Sequence, residues 1–378
     1  MASIRKRSWV SRGIPRSAWL ADYADQHGAR HIKTFATKKE ADSWLANARH
    51  EIRQGTHTPA STSITVAEAT ERWIAHCEAE GLEYGTIVQR REHLKLHIAP
   101  FIGRDLLARL TTPRVHQFLD DLRDCGRSLA MRRKVLTNLK TILSYAQSQG
   151  WVAQNVARTI RLKADARNSP EPLQEGRDFP GRAELQALIN ASPPRRRAFI
   201  ITAIFTGMRA SELRGLRWED VDLDQGIIRV RQRASLWGHL GPPKSAAGKR
   251  DIPLPPLVIN TLRAWQASCP ASKLDLVFPN SAGNVESHAN IRNRFFIPLQ
   301  IAAGVVTDSG AAKYGLHALR HAAASLFIAH LGWTPKRLQA VMGHASITMT
   351  FDRYGHLFED REGDRTAMQK LEAAVLST

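Results

Sequence analysis

The sequence predicts a mainly α protein with small β elements. It would comprise an N-terminal α+β unit, an all-α domain and a mixed α/β domain. Three observations support this reading. Four stretches, 66–80, 84–97, 113–124 and 128–149, repeat apolar residues at helical spacing. Alternating aromatic and β-branched runs occur near the N-terminus and once more within residues 179–378. Two polar stretches without periodicity, 58–63 and 161–178, separate the three regions.

In residues 1–58, SAWLADYAD and RHIKTFAT read as strands, parted by a turn at His27-Gly28. Thr37 and Glu40 then form a capping-box pattern. The helix they open places Trp44, Leu45, Ala48 and Ile52 on one side and stops near Gly55. A second capping box, Thr65 and Glu68, opens the domain at 64–160, which ends near Ala157. Pro113 at a helix start and Gly150 just past a helix end sit where those residues are favoured. The stretch RLKADARNSPEPLQEGRD, 161–178, reads as an interdomain linker. Residues 179–378 read as mostly helical, with one hairpin: GIIRVRQ leads in, GHLGPPKSAAGK turns, and RDIPL returns. Trp73, Trp218 and Trp265 are expected in cores.

Charge is the first functional clue. The chain carries 54 Lys and Arg against 35 Asp and Glu, a net charge of +19. The excess is spread: 11 basic against 5 acidic residues in 1–63, 14 against 10 in 64–160, and 29 against 20 in 161–378. No basic tail explains it, so a polyanion such as nucleic acid is the expected partner. Three scattered cysteines argue against a disulfide framework or a Cys-rich zinc site. A basic N-terminus without a following apolar run argues against a secretory signal. No apolar run is long enough to span a bilayer. A cytosolic, reducing compartment is expected.

Basic clusters Arg90-Arg91-Lys95 and Arg132-Arg133-Lys134-Lys140 fall on the helices of the second domain. A basic helix face either lies along a phosphate backbone or is simply solvated. In the third domain, Arg209 follows an apolar helix that ends at Thr206-Gly207 and starts another helix. An arginine at a helix N-terminus suits an anion. Glu212 lies within reach of it. Lys244 falls in the hairpin turn, and His317, Arg320, His344 and Tyr354 follow. These are donors to a phosphate, plus one candidate nucleophile. His317 and His321, like His93 and His97, have a spacing that can bind zinc. Neither pair has the Glu or the third ligand a zinc site needs, so no metal is expected.

The motifs TGMRASEL, the lysine of a hairpin ending RDIPL, HALRH, MGH and MTFDRYGHL together resemble the tyrosine recombinases, the phage-type integrases. The ordered set is specific, although each piece alone is weak. TVAEATERWIAH and LTNLKTILSYAQSQGWVAQN resemble the family's core-DNA-binding domain, and residues 1–58 its arm-type DNA-binding domain. The resemblance implies a site-specific recombinase that cleaves and rejoins double-stranded DNA through a covalent 3′-phosphotyrosyl bond, without a cofactor. It implies Tyr354 as nucleophile, Arg209 and Arg320 as clamps on the scissile phosphate, and Lys244 as proton donor to the leaving 5′-oxygen. His317 would serve in acid–base chemistry and His344 would bond a phosphate oxygen. Glu212 would orient Arg209, and His321 would pack against His317. Lys249 is the alternative to Lys244, because two prolines precede the latter. Val156 stands where the family commonly has proline. A homotetramer on synapsed sites, a monomer when free and a DNA-bending accessory protein are further implications. A relaxing topoisomerase and a non-catalytic DNA-binding regulator remain alternatives. The final stretch, EDREGDRTAMQKLEAAVL, would dock either on its own domain or on a neighbouring subunit.

Overall fold

The computed structural model describes every residue except 1, 27, 56, 60–62, 164–170, 359–367, 369, 370, 373 and 376–378. The turn residue His27, part of each expected linker and most of the final stretch therefore lie outside the described residues. By its internal contacts the chain divides into two units, Met1–Ser169 and Pro170–Thr378. The expected first and second domains thus fall in one unit.

That unit begins with an antiparallel sheet of three strands in sequence order, Ser3–Ser11, Ile14–Ala24 and Arg30–Phe35. The last two match the expected strands. The first was not expected, because almost all of SIRKRSWVS is exposed and shows no apolar alternation. A tight turn builds it: Arg12 and Gly13 both adopt positive φ, 53° and 77°. That is the twist a two-residue hairpin prefers. Helix Lys38–Arg53 carries the expected capping box and buries Ala41, Leu45 and Ala48.

The bundle follows, with helices Val66–Ala79, Tyr84–His93, Thr112–Asp124 and Leu129–Ser148 close to the expected bounds. Phe118, Leu139, Ile142 and Trp73 lie in its core. The second helix departs from expectation at its end. A π-helical turn, Leu94–Ile98, joins it to Ala99–Ile102, which has proline at its start. Pro100 offers no N–H and crowds the carbonyl four residues back, so the wider turn relieves it. The same pairing recurs at π-turn Ile291–Phe296, before Pro298 in helix Ile297–Ala302.

The second unit is helical around a small sheet, in which Ile227–Val230 lies between Val221–Asp222 and Arg250–Pro253. The expected hairpin is thus the centre and one edge of three strands. A shorter hairpin, Arg233–Ala234 with Leu240–Gly241, is inserted between them. Helices Pro194–Thr206, His317–Leu331 and Pro335–Met342 share one core with Ile228, Ile252, Trp265 and Phe296. Among the described residues no helix is long and apolar enough to cross a membrane.

Candidate active site

Two glycines shape the site. Gly207 and Gly343 each end a helix in the left-handed conformation, at φ 61° and 65°. A Cβ on Gly207 would meet the Met342 sulfur at 2.9 Å, and one on Gly343 would meet the Ala247 carbonyl at 2.9 Å. Both turns aim carbonyls at arginines. Arg320 donates to the carbonyls of Gly207 and Met342, and Arg209 donates to that of Gly343. The two guanidiniums, 111 residues apart in sequence, are thus held on neighbouring backbone.

Arg209 precedes helix Ala210–Arg214, and its backbone N–H donates to Glu212 at 2.9 Å. Its guanidinium also donates to Glu212, at 2.8 Å. Glu212 has a second, stronger partner that sequence reasoning missed. Arg250, buried on the returning strand, donates to both carboxylate oxygens, at 3.1 and 2.8 Å. It also bonds the carbonyls of Val341 and Gly248. Burial alone would raise the Glu212 pKa. The Arg250 bonds, then the charges of Arg250 and Arg209, pull it down to about 2.

Tyr354 ends helix Ile347–Tyr354 and is 1% exposed. Its hydroxyl lies 2.7 Å from His321 Nδ1. The His344 ring lies parallel to the phenol, 6.2 Å between centroids, with Nδ1 bonded to Thr350 Oγ1. That leaves Nε2 of His344 for an incoming oxygen. His317, at the solvent-facing start of its helix, meets His321 edge to face at 4.8 Å, as expected. His321 therefore does more than pack against His317.

The charges of these groups act on one another. Burial first, then Arg320 and Arg209, lowers His344 to about 3; desolvation by the surrounding protein, then Arg320 and Arg209, lowers His317 to about 4 although part of its ring meets solvent. Burial, then His317, Arg353 and Arg320, lowers His321 to about 4. Burial raises Tyr354 to about 12 against the pull of Arg320, Arg353 and Arg209. Burial and Arg209 bring even Arg320 down to about 9. Such a site stabilises an anion.

The unfolded chain takes up protons on these histidines near pH 6.5, whereas the folded site resists until about pH 4. The Tm of the free protein therefore falls as pH drops from 6.5 towards 4. Inorganic phosphate in the site offsets the arginine field and flattens the fall. Thermal melts across that range, with and without phosphate, check both outcomes.

Lys244 is exposed on the stretch between Leu240–Gly241 and the turn Ala246–Gly248. Lys249 is exposed immediately before the inward-facing Arg250. Several of the basic residues expected on the helical domain are occupied within it. Arg90 lies over the Trp73 ring at 4.2 Å and bonds Cys77, while Arg91 pairs with Glu78. Arg133 and Lys140 bond the carbonyls of Leu162 and Ile160, which ties down the end of the domain. Arg132 is partly buried, and Lys95 and Lys134 are exposed.

A tyrosine backed by histidine and ringed by arginines on this fold defines the tyrosine recombinase class. Two family models match the chain, that of the phage integrase family over residues 182–361 and that of the phage integrase central domain over residues 66–163. A protein named as the integrase of prophage phiRv2 in Mycobacterium tuberculosis is 29% identical, the alignment covering 96% of this chain and 95% of that one. The Tn1549 transposon integrase in complex with a circular intermediate DNA has the same fold. Its TM-score is 0.67 at 20% identity, over 82% of this chain and 100% of that one. A lambda integrase tetramer bound to a Holliday junction gives 0.58 at 19%, over 90% and 96%. The chain belongs to the phage integrase family and is a tyrosine-type site-specific recombinase.

Proposed function

We propose that Tyr354 attacks the scissile phosphate of double-stranded DNA and holds its 3′ side as a phosphotyrosyl ester. The observation that carries this is the buried Tyr354 hydroxyl, bonded to a histidine in a pocket whose charge comes from Arg209 and Arg320. The arginines neutralise the charge that builds on the non-bridging oxygens, a task divalent ions perform elsewhere. His317 and His344 Nε2 donate to the same oxygens. Lys244 swings in from its exposed loop to protonate the departing 5′-oxygen. Strand alternation favours it over Lys249, which extends opposite to the inward-facing Arg250. Because the ester retains the bond energy, rejoining needs no ATP.

One site cuts one strand, so two recombining duplexes need four protomers. The working assembly in this proposal is a homotetramer on synapsed DNA, formed from monomers and aided by a DNA-bending protein. The described tail residues Met368, Leu371 and Val375 are exposed and apolar. An apolar cleft of about 550 Å³, lined by Leu185, Ile189, Phe205, Leu326, Phe327 and Trp333, gives a neighbour's tail a place to dock. Residues 1–58 serve as the arm-binding domain and 64–160 as the other half of the DNA clamp, with Lys95 and Lys134 towards the backbone. The protein works in the bacterial cytoplasm, on the nucleoid.

A nicked duplex carrying the recombination sequence tests the central claim. Cleavage next to the nick releases a short strand and traps the ester. Digestion and mass spectrometry should place the DNA on the peptide containing Tyr354. DNA on another residue would overturn the assignment, and binding without any adduct would mean a regulator. Binding itself is expected to weaken by about 0.9 log unit per log unit of salt for each phosphate neutralised. A salt titration of a gel shift measures that slope.

A further inference from the structure

The nucleophile's proton needs a destination, and the family resemblance assigns acid–base work to His317. The structure places a different imidazole on the phenol. His321 Nδ1 lies 2.7 Å from the Tyr354 hydroxyl, within range for direct proton transfer. The other groups of the site are turned elsewhere. His344 lies parallel to the phenol ring, and its Nδ1 is bonded to Thr350. His317 meets the edge of His321 rather than the phenol. Arg320 donates to two backbone carbonyls, and a guanidinium is in any case no base.

We propose that His321 is a catalytic residue: it takes the phenolic proton of Tyr354 as DNA is cleaved and returns it as DNA is rejoined. The step balances. The Tyr354 oxygen bonds to phosphorus as the bond from phosphorus to the 5′-oxygen breaks. The phenolic proton moves to Nδ1 of His321, and the departing 5′-oxygen takes a proton from Lys244. On rejoining, the 5′-hydroxyl attacks and returns its proton to Lys244, and His321 reprotonates the leaving phenolate. Nδ1 can accept only if the neutral ring carries its proton on Nε2.

The surroundings suit this duty. His317 from the same helix packs on the His321 ring, and Arg353 from the tyrosine's helix, Arg320 and Asp178 act on its charge. Burial first, with the charges of Arg353 and Arg320, keeps it neutral before DNA binds, so it is free to accept. An incoming phosphodiester and Asp178 oppose them and favour the imidazolium once the proton arrives.

The inference rests on Tyr354 being the nucleophile, and the test separates the two. The probe is the nicked recombination-site duplex, made with oxygen or with sulfur at the scissile 5′ position. A thiolate leaves without a general acid, so sulfur repairs the loss of an acid and not of a base. His321→Ala and the near-isosteric His321→Asn are expected to bind the duplex and form adduct about 10²- to 10⁴-fold more slowly. Sulfur should not rescue them, whereas it should rescue Lys244→Ala. Their rates should also climb with pH where the wild type is flat. Cleavage by His321→Asn at the wild-type rate would show that His321 only positions the phenol and would overturn the proposal. Rescue by sulfur would overturn it as well. If the wild type forms no adduct on Tyr354, the nucleophile assignment fails first and this inference falls with it.

Discussion

Tyr354→Phe is expected to bind DNA like the wild type and to form no covalent adduct. The substitution removes one oxygen atom from a side chain that is 1% exposed. The phenyl ring still fills the pocket and still lies parallel to His344. No cavity opens, so the large destabilisation that follows loss of a whole aromatic ring is avoided. What is lost is the hydrogen bond to His321, worth about 0.5–1.5 kcal/mol net. For a unit of this size that lowers the Tm by only a few degrees. The guanidiniums of Arg209 and Arg320 hold the phosphate as before, because neither depends on the hydroxyl. A gel shift, a melt and the trapping assay on one preparation therefore give two near-normal readings and one null. Residual adduct would mean that another side chain attacks phosphorus.

Much of this site could be read from residue order. Helix periodicity, two capping boxes and the run of Arg, Lys, HxxR, GH and Tyr survive in a linear string because each is local. What escaped depended on contacts distant in sequence or on backbone strain. The strand Ser3–Ser11 exists because a tight turn pairs it with Ile14–Ala24, not because its side chains alternate. The π-turns answer to prolines two residues past their ends. Arg133 and Lys140 looked like a solvated or DNA-facing stripe, yet they bind the carbonyls that end their own domain. Arg250 did leave a signal. In RDIPL, strand alternation puts it on the face of the buried Ile252, and a charge on an inward face needs a buried partner. Glu212 is that partner, but a pair 38 residues apart shows itself only in three dimensions.

Arg250→Met is expected to be the most destabilising single change at the site. Glu212 and Arg250 are 2% and 8% exposed, and Arg250 supplies both of its strong outer bonds to that carboxylate. Methionine fills much of the space but leaves Glu212 ionised with only Arg209 beside it, and the Arg209 side chain is 34% exposed. Breaking a buried pair in this way costs about 3–5 kcal/mol, a fall in Tm on the order of 6–20 °C. The acid side distinguishes this cause from a packing defect. Wild-type Glu212, held at about 2, contributes stability that is present above pH 4.5 and lost as pH falls towards 2. In Arg250→Met, burial without its partner favours the neutral acid, so protonation relieves the strain. The Tm deficit of the variant should therefore shrink as pH falls from 6 towards 3. His317 and His321 destabilise both proteins alike in that range and cancel in the difference, whereas His344, whose pKa Arg250 also lowers, adds to the shrinkage. Replacing both members, as Arg250→Met with Glu212→Leu, should recover most of the Tm, because neither member of the pair is left buried and charged alone. It should not recover adduct formation, since Arg209 would then lack the carboxylate that aims it at the phosphate. A deficit that is constant with pH, or a double variant no more stable than the single, would show that Arg250 acts through shape rather than charge.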